Sequence, residues 1–346
     1  MPVVTDLSVL GWSPDRGGEL PPGSLPARVA RVDRGQLSVL TADGNRCVTP
    51  GTSVYGPDGA LRPAVGDWVA LRGERAVALL PRTSAFTRTA AGGTSALQVI
   101  AANIDIVLVV DALVGDTRLR RVERYLAVAW SSGATPVVVL TKADLCADVP
   151  ATVEEVAEAA LGVEVLPVSS VTGDGVEAVR GRLGPGRTAA MVGPSGVGKS
   201  SLANALAGRP VAGTREIRDD GRGRHTTTAG QLHLLPGGGL LVDTPGLREL
   251  ALADDAGGVD AAYADVVELA TACRFRDCAH RTEPGCAVAA AIDDGRLDPA
   301  RYTAWRKLEA EAHRQVLRVD ARARAGERAR LRAWHRELRS RPGRPR

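Results

Sequence analysis

The chain contains few aromatic residues, few cysteines and no long apolar run. Phe, Trp and Tyr account for only 3% of its 346 residues, so we expect a core built mainly from aliphatic side chains. No apolar run is long enough to span a bilayer, and the first residues lack the pattern of a signal peptide, so we expect a cytoplasmic protein that does not enter membranes. The five Cys are an odd number, and three of them cluster beside a His, which favours a metal site over disulfides.

Short apolar segments separated by turn sequences occupy the N-terminal part of the chain. Residues 27–32, 36–40 and 67–71 alternate or run apolar, with basic residues on the positions expected to be exposed. This pattern predicts an OB-type β-barrel over residues 27–88, a fold that often binds single-stranded nucleic acid. We interpret residues 1–26, which are rich in Gly and Pro, as a flexible N-terminal arm.

Strand-like and helix-like segments alternate over residues 97–250. Residues 104–110 and 136–140 are apolar without polar alternation, as in strands that are buried on both faces. The succession predicts a mostly parallel sheet with helices on both faces and ligands at the carboxyl ends of the strands. We interpret residues 251–346 as a zinc-binding helical domain with a basic tail, which gives a multi-domain chain.

A phosphate-binding loop follows one apolar strand and opens a helix. Its residues are Gly193, Pro194, Ser195, Gly196, Val197, Gly198, Lys199, Ser200 and Ser201. The glycines allow backbone amides to surround phosphates at a helix N-terminus, where Lys199 would reach the β- and γ-phosphates and Ser200 would coordinate Mg²⁺. A glycine-rich turn without a ligand is the alternative, and the strand before the loop and the helix after it argue against that.

Guanine selection depends on two short loops, whose residues are Thr141, Lys142, Ala143, Asp144, Ser169 and Ser170. The Asp144 carboxylate can accept from guanine N1–H and from the exocyclic amine, whereas adenine would leave this charge unpaired. Lys142 would pack along the base plane. Asn usually stands at the position of Thr141 and ties this loop to the phosphate loop, so we expect a hydroxyl there to cost some nucleotide affinity.

The motifs occur in an inverted order. In a Ras-like GTPase the phosphate loop comes first. Here the guanine-reading segment Thr141-Lys142-Ala143-Asp144, which we name the base reader, precedes it, and Asp243-Thr244-Pro245-Gly246 follows it. This order is typical of a circularly permuted GTPase. Asp243 would hold Mg²⁺ through water and the Gly246 amide would bond the γ-phosphate, although alone this tetrapeptide would be a plausible surface turn.

The residue that orients the attacking water is less obvious. Leu247 stands where many GTPases carry Gln, so another group must position the water. The polar stretch 221–228 offers His225 for this role and either Thr226 or Thr227, with Thr227 preferred, as a ligand of Mg²⁺ and the γ-phosphate. The predicted catalytic set is therefore His225, Thr227 and Lys199, with an ordinary surface histidine as the alternative for His225.

Four metal-ligating side chains lie within one short segment, namely Cys273, Cys278, His280 and Cys286. Three thiolates and an imidazole suit tetrahedral Zn²⁺, and a closed set of four protein ligands is structural rather than catalytic. Buried thiols with an incidental His are the alternative. The Arg-rich residues 318–346 indicate a partner rich in phosphate, above all RNA, or else a solvated helix.

With all of these features, the chain resembles the RsgA/YjeQ family of ribosome small-subunit-dependent GTPases over nearly its whole length. The matching segments are Gly66-Asp67-Trp68-Val69, Ala101-Ala102-Asn103-Ile104-Asp105, the phosphate-binding loop, Gly223-Arg224-His225-Thr226-Thr227-Thr228, Asp243-Thr244-Pro245-Gly246 and the four metal ligands. The departures are Thr141, the N-terminal arm and the Arg-rich tail.

The resemblance implies a GTPase that acts late in maturation of the small (30S) ribosomal subunit. It implies 16S rRNA and the subunit as partners, GTP and Mg²⁺ in the active site, and one structural Zn²⁺. It also implies that the subunit stimulates hydrolysis and that His225 is the catalytic group. We expect a monomer. Two other readings stay open: a nucleotide-gated RNA-binding placeholder in which hydrolysis is incidental, and a metabolic phosphate-loop enzyme that uses ATP.

Overall fold

A computed structural model describes residues 6–56, 61–89, 97–114, 119–212, 230–243, 257–281 and 283–319. Within these ranges the chain forms a small β-barrel, a central α/β sheet and a C-terminal group of helices. No helix in the described part of the chain has both the length and the hydropathy to cross a membrane.

Five strands close the N-terminal barrel. They are β1 (Leu25–Asp33), β2 (Gln36–Thr41), β3 (Gly44–Pro50), β4 (Trp68–Arg72) and β5 (Arg75–Leu79). Strand β1 pairs with both β2 and β4, while β3 pairs with β5, so the order β1-β2-β3-β5-β4 returns to β1. This closed order confirms the predicted OB-type barrel.

Aliphatic side chains fill the barrel because alternate residues of each strand point inward. Val29, Val39, Val48 and Val69 are all buried in one cluster. The neighbours of the inward residues on the same strands point outward, and one of them, Trp68, faces the rest of the molecule and is completely buried there.

The central sheet begins after a two-stranded ribbon of β6 (Ala85–Thr89) and β7 (Leu97–Ala102). Its strands are β8 (Ile106–Ala112), β9 (Thr135–Thr141), β10 (Val165–Pro167), β11 (Thr188–Val192), β12 (Gln231–Leu234) and β13 (Leu240–Asp243). Their spatial order is β10-β9-β8-β11-β13-β12, parallel except for the antiparallel pair β12–β13. Barrel strand β1 pairs with the edge strand β12 at one position, Arg31 opposite Gln231.

Helices cover both faces of this sheet, as the sequence predicted. They are α1 (Leu119–Ser131), α2 (Val149–Ala159), α3 (Val176–Arg182) and α4 (Lys199–Ala207). Buried residues of α1 and α2 belong to one core cluster, and those of α3 and α4 to another on the opposite face. All seven residues of β8 are buried, which agrees with the unbroken apolar sequence of residues 106–110.

The C-terminal helices pack on the α1 side of the sheet. They are α5 (Gly257–Ala262), α6 (Ala264–Thr271), α7 (Ala287–Asp293) and α8 (Pro299–Val319). Helix α5 approaches α1 so closely that a Cβ at Gly258 would lie 2.5 Å from the carbonyl oxygen of Ala127. This close contact joins the C-terminal helices to the central sheet.

The N-terminal segment differs from the prediction. Two 3-10 helices, Leu7–Leu10 and Pro14–Glu19, lie on the barrel and the sheet. Leu10 is completely buried, and the ring centroids of Trp12 and Trp68 are 4.8 Å apart. The sequence predicted a flexible arm over residues 1–26 and did not anticipate these contacts, in which a few well-spaced apolar residues pack on the core although the composition of the segment is typical of a loop.

Arg28 also differs from the prediction, which placed the basic residues of the barrel at its surface. It is only 2% exposed. Its guanidinium donates to the carbonyl oxygens of Leu10 (2.9 Å) and Asn103 (2.8 Å) and to Oγ1 of Thr188 (3.1 Å), and it lies 5.1 Å from the Trp68 ring centroid. One side chain of β1 thus joins the N-terminal segment, the barrel and the central sheet.

Candidate nucleotide and metal sites

The phosphate-binding loop connects β11 to α4 and passes close over the sheet. Gly193 has a φ of 143°, and a Cβ there would lie 2.1 Å from the carbonyl oxygen of Val110. Gly196 and Gly198 also adopt positive φ angles, 81° and 95°, which favour glycine. These glycines let the backbone lie directly on the strand ends, with the N-terminus of α4 facing the loop.

Lys199 is the first residue of α4, and its side chain folds back over the loop. Its ammonium group donates to the carbonyl oxygens of Gly193 (2.8 Å) and Pro194. Ser200 is partly buried in the next position, and Ser201 is exposed. The loop, its lysine and Ser200 therefore lie together at the carboxyl edge of the sheet, where the sequence placed a phosphate site.

Thr141, at the end of β9, contacts the phosphate-binding loop. Its hydroxyl donates to the carbonyl oxygen of Val197 in that loop and lies 3.2 Å from the carbonyl oxygen of Asp111. A hydroxyl carries a single proton and can serve only one of these acceptors at a time. The Thr141 hydroxyl therefore keeps one hydrogen bond between the base reader and the phosphate loop, where Asn would offer the hydrogen-bonding groups of its side-chain amide.

Asp144 is held by the second guanine loop. Its carboxylate accepts from the Ser169 hydroxyl at 2.6 Å, and the Ser169 oxygen accepts from the backbone N–H groups of Val171 (3.3 Å) and Thr172 (3.2 Å). Ser169 is buried, whereas Asp144 is exposed. The buried serine thus orients a carboxylate whose other oxygen is available to a base.

Three further features belong to the base-reading loops or the residues that follow them. The Ser170 hydroxyl is buried and has no hydrogen-bond partner among the described residues. Leu145 and Val171 are 65% and 86% exposed, and each directly follows a residue of the base-reading loops. Lys142 begins the turn in the left-handed region, at a φ of 60°. The two base-reading loops therefore carry a buried hydroxyl without a described partner and are each followed by an exposed apolar side chain.

Asp243 ends β13, which lies next to the phosphate-loop strand β11 and is separated from the base-reader strand β9 by β8 and β11. Strand β11 pairs with β13 up to Ala190 opposite Val242, so Asp243 lies at the same carboxyl edge of the sheet. The predicted residues His225, Thr227 and Gly246, together with Leu247, lie outside the described residues. Their roles stay predictions.

The four predicted metal ligands converge in a segment that we name the knuckle, residues 273–286. Their ligand atoms all lie within 4.8 Å of one another. Nδ1 of His280 lies 3.5 Å from Sγ of Cys273 and 3.6 Å from Sγ of Cys286, and these two sulfurs are 3.9 Å apart. A tetrahedral zinc ion with ordinary bond lengths separates two sulfurs by about 3.8 Å and a sulfur and a nitrogen by about 3.6 Å. The cluster is compatible with a zinc site.

Two of the ligand thiols have pKa values that are shifted in opposite directions. Burial raises the pKa of Cys273, but hydrogen bonds from the backbone N–H groups of Val288 and Ala287 and from the thiols of Cys278 and Cys286 together leave it below its ordinary value. Burial raises the pKa of Cys278 to about 11, with a smaller contribution from Cys286 in the same direction. A bound cation would favour the thiolate forms of both.

The position of the imidazole is also fixed. Burial lowers the pKa of His280, which favours the neutral ligand form. The Tyr302 hydroxyl on α8 donates to the His280 carbonyl oxygen at 3.0 Å, and the His280 and Trp305 rings are 5.9 Å apart. Helix α8 therefore supports the knuckle.

Comparison with known proteins identifies the family. A family model described as RsgA GTPase matches residues 79–253. A protein of Streptomyces coelicolor named small ribosomal subunit biogenesis GTPase RsgA is 49% identical over 333 residues, which cover 92% of this chain and 90% of that protein. The chain belongs to the RsgA GTPase family.

Solved structures agree with this assignment. YjeQ from Thermotoga maritima is 26% identical, with a TM-score of 0.64 over 84% of this chain and 98% of that one. A structure described as YloQ, a circularly permuted GTPase, has a TM-score of 0.61 over 84% of this chain and 96% of that one; at 24% identity it is similar in fold alone. Family membership confirms that this chain is a GTPase, and the strand order confirms the permutation.

Two residues near the nucleotide edge of this RsgA-family chain escaped the sequence reasoning. Asp111, at the end of β8, is 3% exposed, and Arg121 on α1 donates to both of its carboxylate oxygens, at 2.9 and 3.1 Å. The sequence signal that could have identified Asp111 was an acidic residue near the end of an apolar strand, at the edge of the sheet where the phosphate loop was expected. His233 is buried in β12, where burial lowers its pKa and Asp243 opposes that shift. Its apolar strand gave no signal.

A buried polar cluster at the α1 surface was also missed. Glu123 is 1% exposed, and its carboxylate accepts from Arg120 and Arg301 and from the Tyr263 hydroxyl, each at 3.0 Å. Arg301 on α8 also donates to Asp265 at 2.8 Å. Sequence alone could not pair residues so far apart along the chain. The cluster connects the GTPase sheet to the C-terminal helices.

Proposed function

We propose that this chain hydrolyses GTP in late maturation of the small (30S) ribosomal subunit, binds 16S rRNA and is stimulated by the subunit. The observation that carries the proposal is the 49% identity, over nearly the whole chain, to a relative named as a small ribosomal subunit biogenesis GTPase. The guanine reader and the phosphate loop, joined by the Thr141 hydrogen bond, support a guanine nucleotide as substrate.

GTP would bind along the carboxyl edge of the central sheet. Loop amides from Gly193 to Gly198 and the N-terminus of α4 would hold the phosphates, and Lys199 would exchange its two carbonyl contacts for phosphate oxygens. Asp144, already oriented by Ser169, would accept from the guanine N–H groups. Mg²⁺ would neutralise phosphate charge, with Ser200, Thr227 and, through water, Asp243 as its holders.

Hydrolysis needs a group that orients water. Because Leu247 cannot do this, we assign the role to His225, which the subunit would bring into position. Docking and hydrolysis are then linked, and the GDP-bound protein would leave the subunit. The assignment of His225 and Thr227 rests on the sequence.

The knuckle would hold one structural Zn²⁺ through Cys273, Cys278, His280 and Cys286. Its donor set is closed and its interatomic distances suit a tetrahedral ion. The ion would stabilise the knuckle and leave no position open for chemistry. The barrel, the knuckle and the Arg-rich tail would then be the rRNA-contacting parts of a monomeric cytoplasmic factor.

The decisive experiment measures GTP turnover by the purified full-length protein with and without small ribosomal subunits. We expect subunits to raise turnover many-fold, GTP to be preferred over ATP, and His225→Ala to lose most of the stimulated rate while still binding GDP. Stimulated turnover that survives His225→Ala would refute the catalytic assignment.

Two binding measurements made beside this assay, of subunits and of GDP against ADP, separate the alternatives. Subunit binding that depends on GTP without any rise in turnover would indicate an RNA-binding placeholder in which hydrolysis is incidental. Equal binding of GDP and ADP would contradict the guanine assignment and indicate an ATP-using enzyme.

A further inference from the structure

Phe275 is an exposed aromatic residue in the knuckle, between the first two metal ligands. It is 42% exposed, whereas Phe86, the other phenylalanine of the chain, is buried in the core. A single exposed apolar side chain needs no explanation on its own. The loop that carries Phe275 and the charges around it distinguish this ring.

The backbone around Phe275 is fixed on both sides. The Cys278 N–H donates to the Phe275 carbonyl oxygen at 3.3 Å, and the Arg274 N–H donates to the Gly285 carbonyl oxygen at 3.1 Å. Gly285 has a φ of 77°, and a Cβ there would come within 3.1 Å of the Arg274 side chain. A rigid aromatic side chain loses little conformational entropy when it binds a partner.

One arginine packs on the ring, and two more lie in the same knuckle. The Arg274 guanidinium carbon lies 5.5 Å from the Phe275 ring centroid. Arg276 and Arg281 are exposed in the same knuckle. An aromatic face beside guanidinium groups is the usual combination for stacking an unpaired base and contacting its phosphates.

The acids of the knuckle do not cancel this arrangement. The Glu283 carboxylate accepts from the backbone N–H groups of Ala279 (3.2 Å) and Arg281 (2.7 Å), so it is engaged within the loop. Asp277 is exposed, and it is the other acid in this segment. A patch for docking another protein would extend into further apolar side chains, whereas charged residues flank Phe275 on both sides.

We propose that Phe275 and Arg274 form a stacking platform for an unpaired RNA base, with Arg276 and Arg281 contacting the adjacent phosphates. The inference rests on the proposed function, because it takes RNA as the partner of the knuckle. It adds a recognition mode: the knuckle selects single-stranded RNA by stacking, in addition to attracting it by charge.

The test compares full-length Phe275→Leu, which keeps an apolar side chain, with Phe275→Tyr, which keeps the ring. Affinity is measured for isolated small subunits and for a short single-stranded oligouridylate. We expect Phe275→Leu to weaken both interactions on the order of tenfold, and Phe275→Tyr to bind like the wild type. Leu161→Ala, which removes an exposed apolar side chain far from the knuckle in sequence, should not change either affinity.

Salt dependence separates stacking from charge. Phe275→Leu should lower oligonucleotide affinity without changing its dependence on salt concentration. Arg276→Gln should reduce the slope of log affinity against log salt by about 0.7, the value for one phosphate contact on a single strand. Bound metal per chain and the thermal unfolding midpoint should match the wild type in every variant.

Two results would overturn the platform. The first is equal affinity of the wild type and Phe275→Leu for small subunits. The second is a loss confined to subunits and absent on the oligonucleotide, which would indicate a contact with a ribosomal protein. Failure of the wild type itself to bind small subunits would instead refute the proposed function, and the platform with it.

Discussion

The barrel and the C-terminal helices are joined to the GTPase sheet by different chemistry. On the barrel side, the buried Arg28 donates to carbonyl and hydroxyl oxygens and packs on Trp68, while the buried Asp67 pairs with Arg82 at 2.7 Å. On the C-terminal side, Glu123 and Arg301 form a buried ion pair with further charged partners. The two buried arginines therefore differ: Arg28 has neutral acceptors, whereas Arg301 is paired with carboxylates.

On the barrel side, burying the Arg28 guanidinium against neutral acceptors disfavours its charged form. Burial lowers the pKa of Arg28 to about 10, although Asp105 and Asp67 lie near enough to oppose this shift. Asn103 reinforces the junction, because its side chain donates to the Gly66 carbonyl oxygen at 3.0 Å and accepts from the Thr83 N–H at 3.0 Å. The barrel is therefore oriented by hydrogen bonds of fixed direction.

The C-terminal junction lies on a helix that also reaches the nucleotide edge. Arg121 of α1 holds Asp111 beside the phosphate loop, and Glu123, two residues further on, holds Arg301 of α8. A single rigid helix therefore contacts both the nucleotide edge and the C-terminal helices. In the permuted chain, the link between nucleotide and knuckle does not depend only on the segment that follows Asp243.

Removing the Arg28 side chain should lower the free energy of unfolding more than any other substitution considered for the two junctions. Arg28→Ala would leave buried acceptors without donors and a cavity beside Trp68, so we expect a loss of about 3–5 kcal/mol in the free energy of unfolding. Chemical unfolding followed by tryptophan fluorescence measures it. Arg31→Ala on the same strand, whose side chain is 49% exposed and pairs with Asp33, should cost less than about 1 kcal/mol. Equal losses would show that Arg28 does not hold the junction.

The two junctions also differ in how far the sequence could predict them. Strand periodicity and motif spacing predicted the barrel, the parallel sheet, the phosphate loop and the convergence of the metal ligands, because these depend on local patterns. The burial of Arg28 and the pairing of Glu123 with Arg301 depend on which surfaces of distant segments meet. Leu10 shows the same limit: one apolar residue in a Gly- and Pro-rich segment gives little periodicity, yet it is completely buried.

Neutralising the C-terminal junction should have an intermediate effect. Glu123→Gln keeps the shape of the side chain but removes the charge that faces Arg120 and Arg301, so we expect a loss of about 2–3 kcal/mol in the free energy of unfolding. Tyr263→Phe, which removes one hydrogen bond to the same carboxylate, should cost about 1 kcal/mol. Urea unfolding of both single variants and the double variant measures the losses.

The double variant Glu123→Gln, Tyr263→Phe tests whether the two side chains stabilise the junction together. If Glu123 and Tyr263 form one network, their combined loss should differ from the sum of the single losses by about 0.5 kcal/mol or more. Strict additivity would mean that the carboxylate and the hydroxyl act independently. Glu155→Gln, an exposed acid on α2, is the matched control and should leave unfolding unchanged.

Substitution of Asp298, an exposed residue at the edge of the C-terminal junction, should cause the smallest loss of stability, and this loss should depend on pH. Asp298 precedes Pro299 at the start of α8, and its carboxylate accepts from the Ala300 N–H at 2.8 Å and pairs with Arg120 at 3.0 Å. The Ala300 hydrogen bond, together with Arg120, lowers the pKa of Asp298 from its ordinary value of 3.8, against the opposing effect of burial. Asn also caps helices well, so Asp298→Asn removes mainly the charge.

Because the folded pKa of Asp298 is depressed, its charge stabilises the fold above the ordinary carboxyl pKa, and this stabilisation disappears as pH falls through the folded pKa. The side chain is 59% exposed, so solvent screening limits the expected loss in Asp298→Asn to less than about 1 kcal/mol near neutral pH. Thermal unfolding at about pH 7 and about pH 3 should show a small difference from the wild type that shrinks in acid. A difference that grew in acid would mean that the Asn side chain fails as a helix cap and that the charge of Asp298 contributes nothing to this junction.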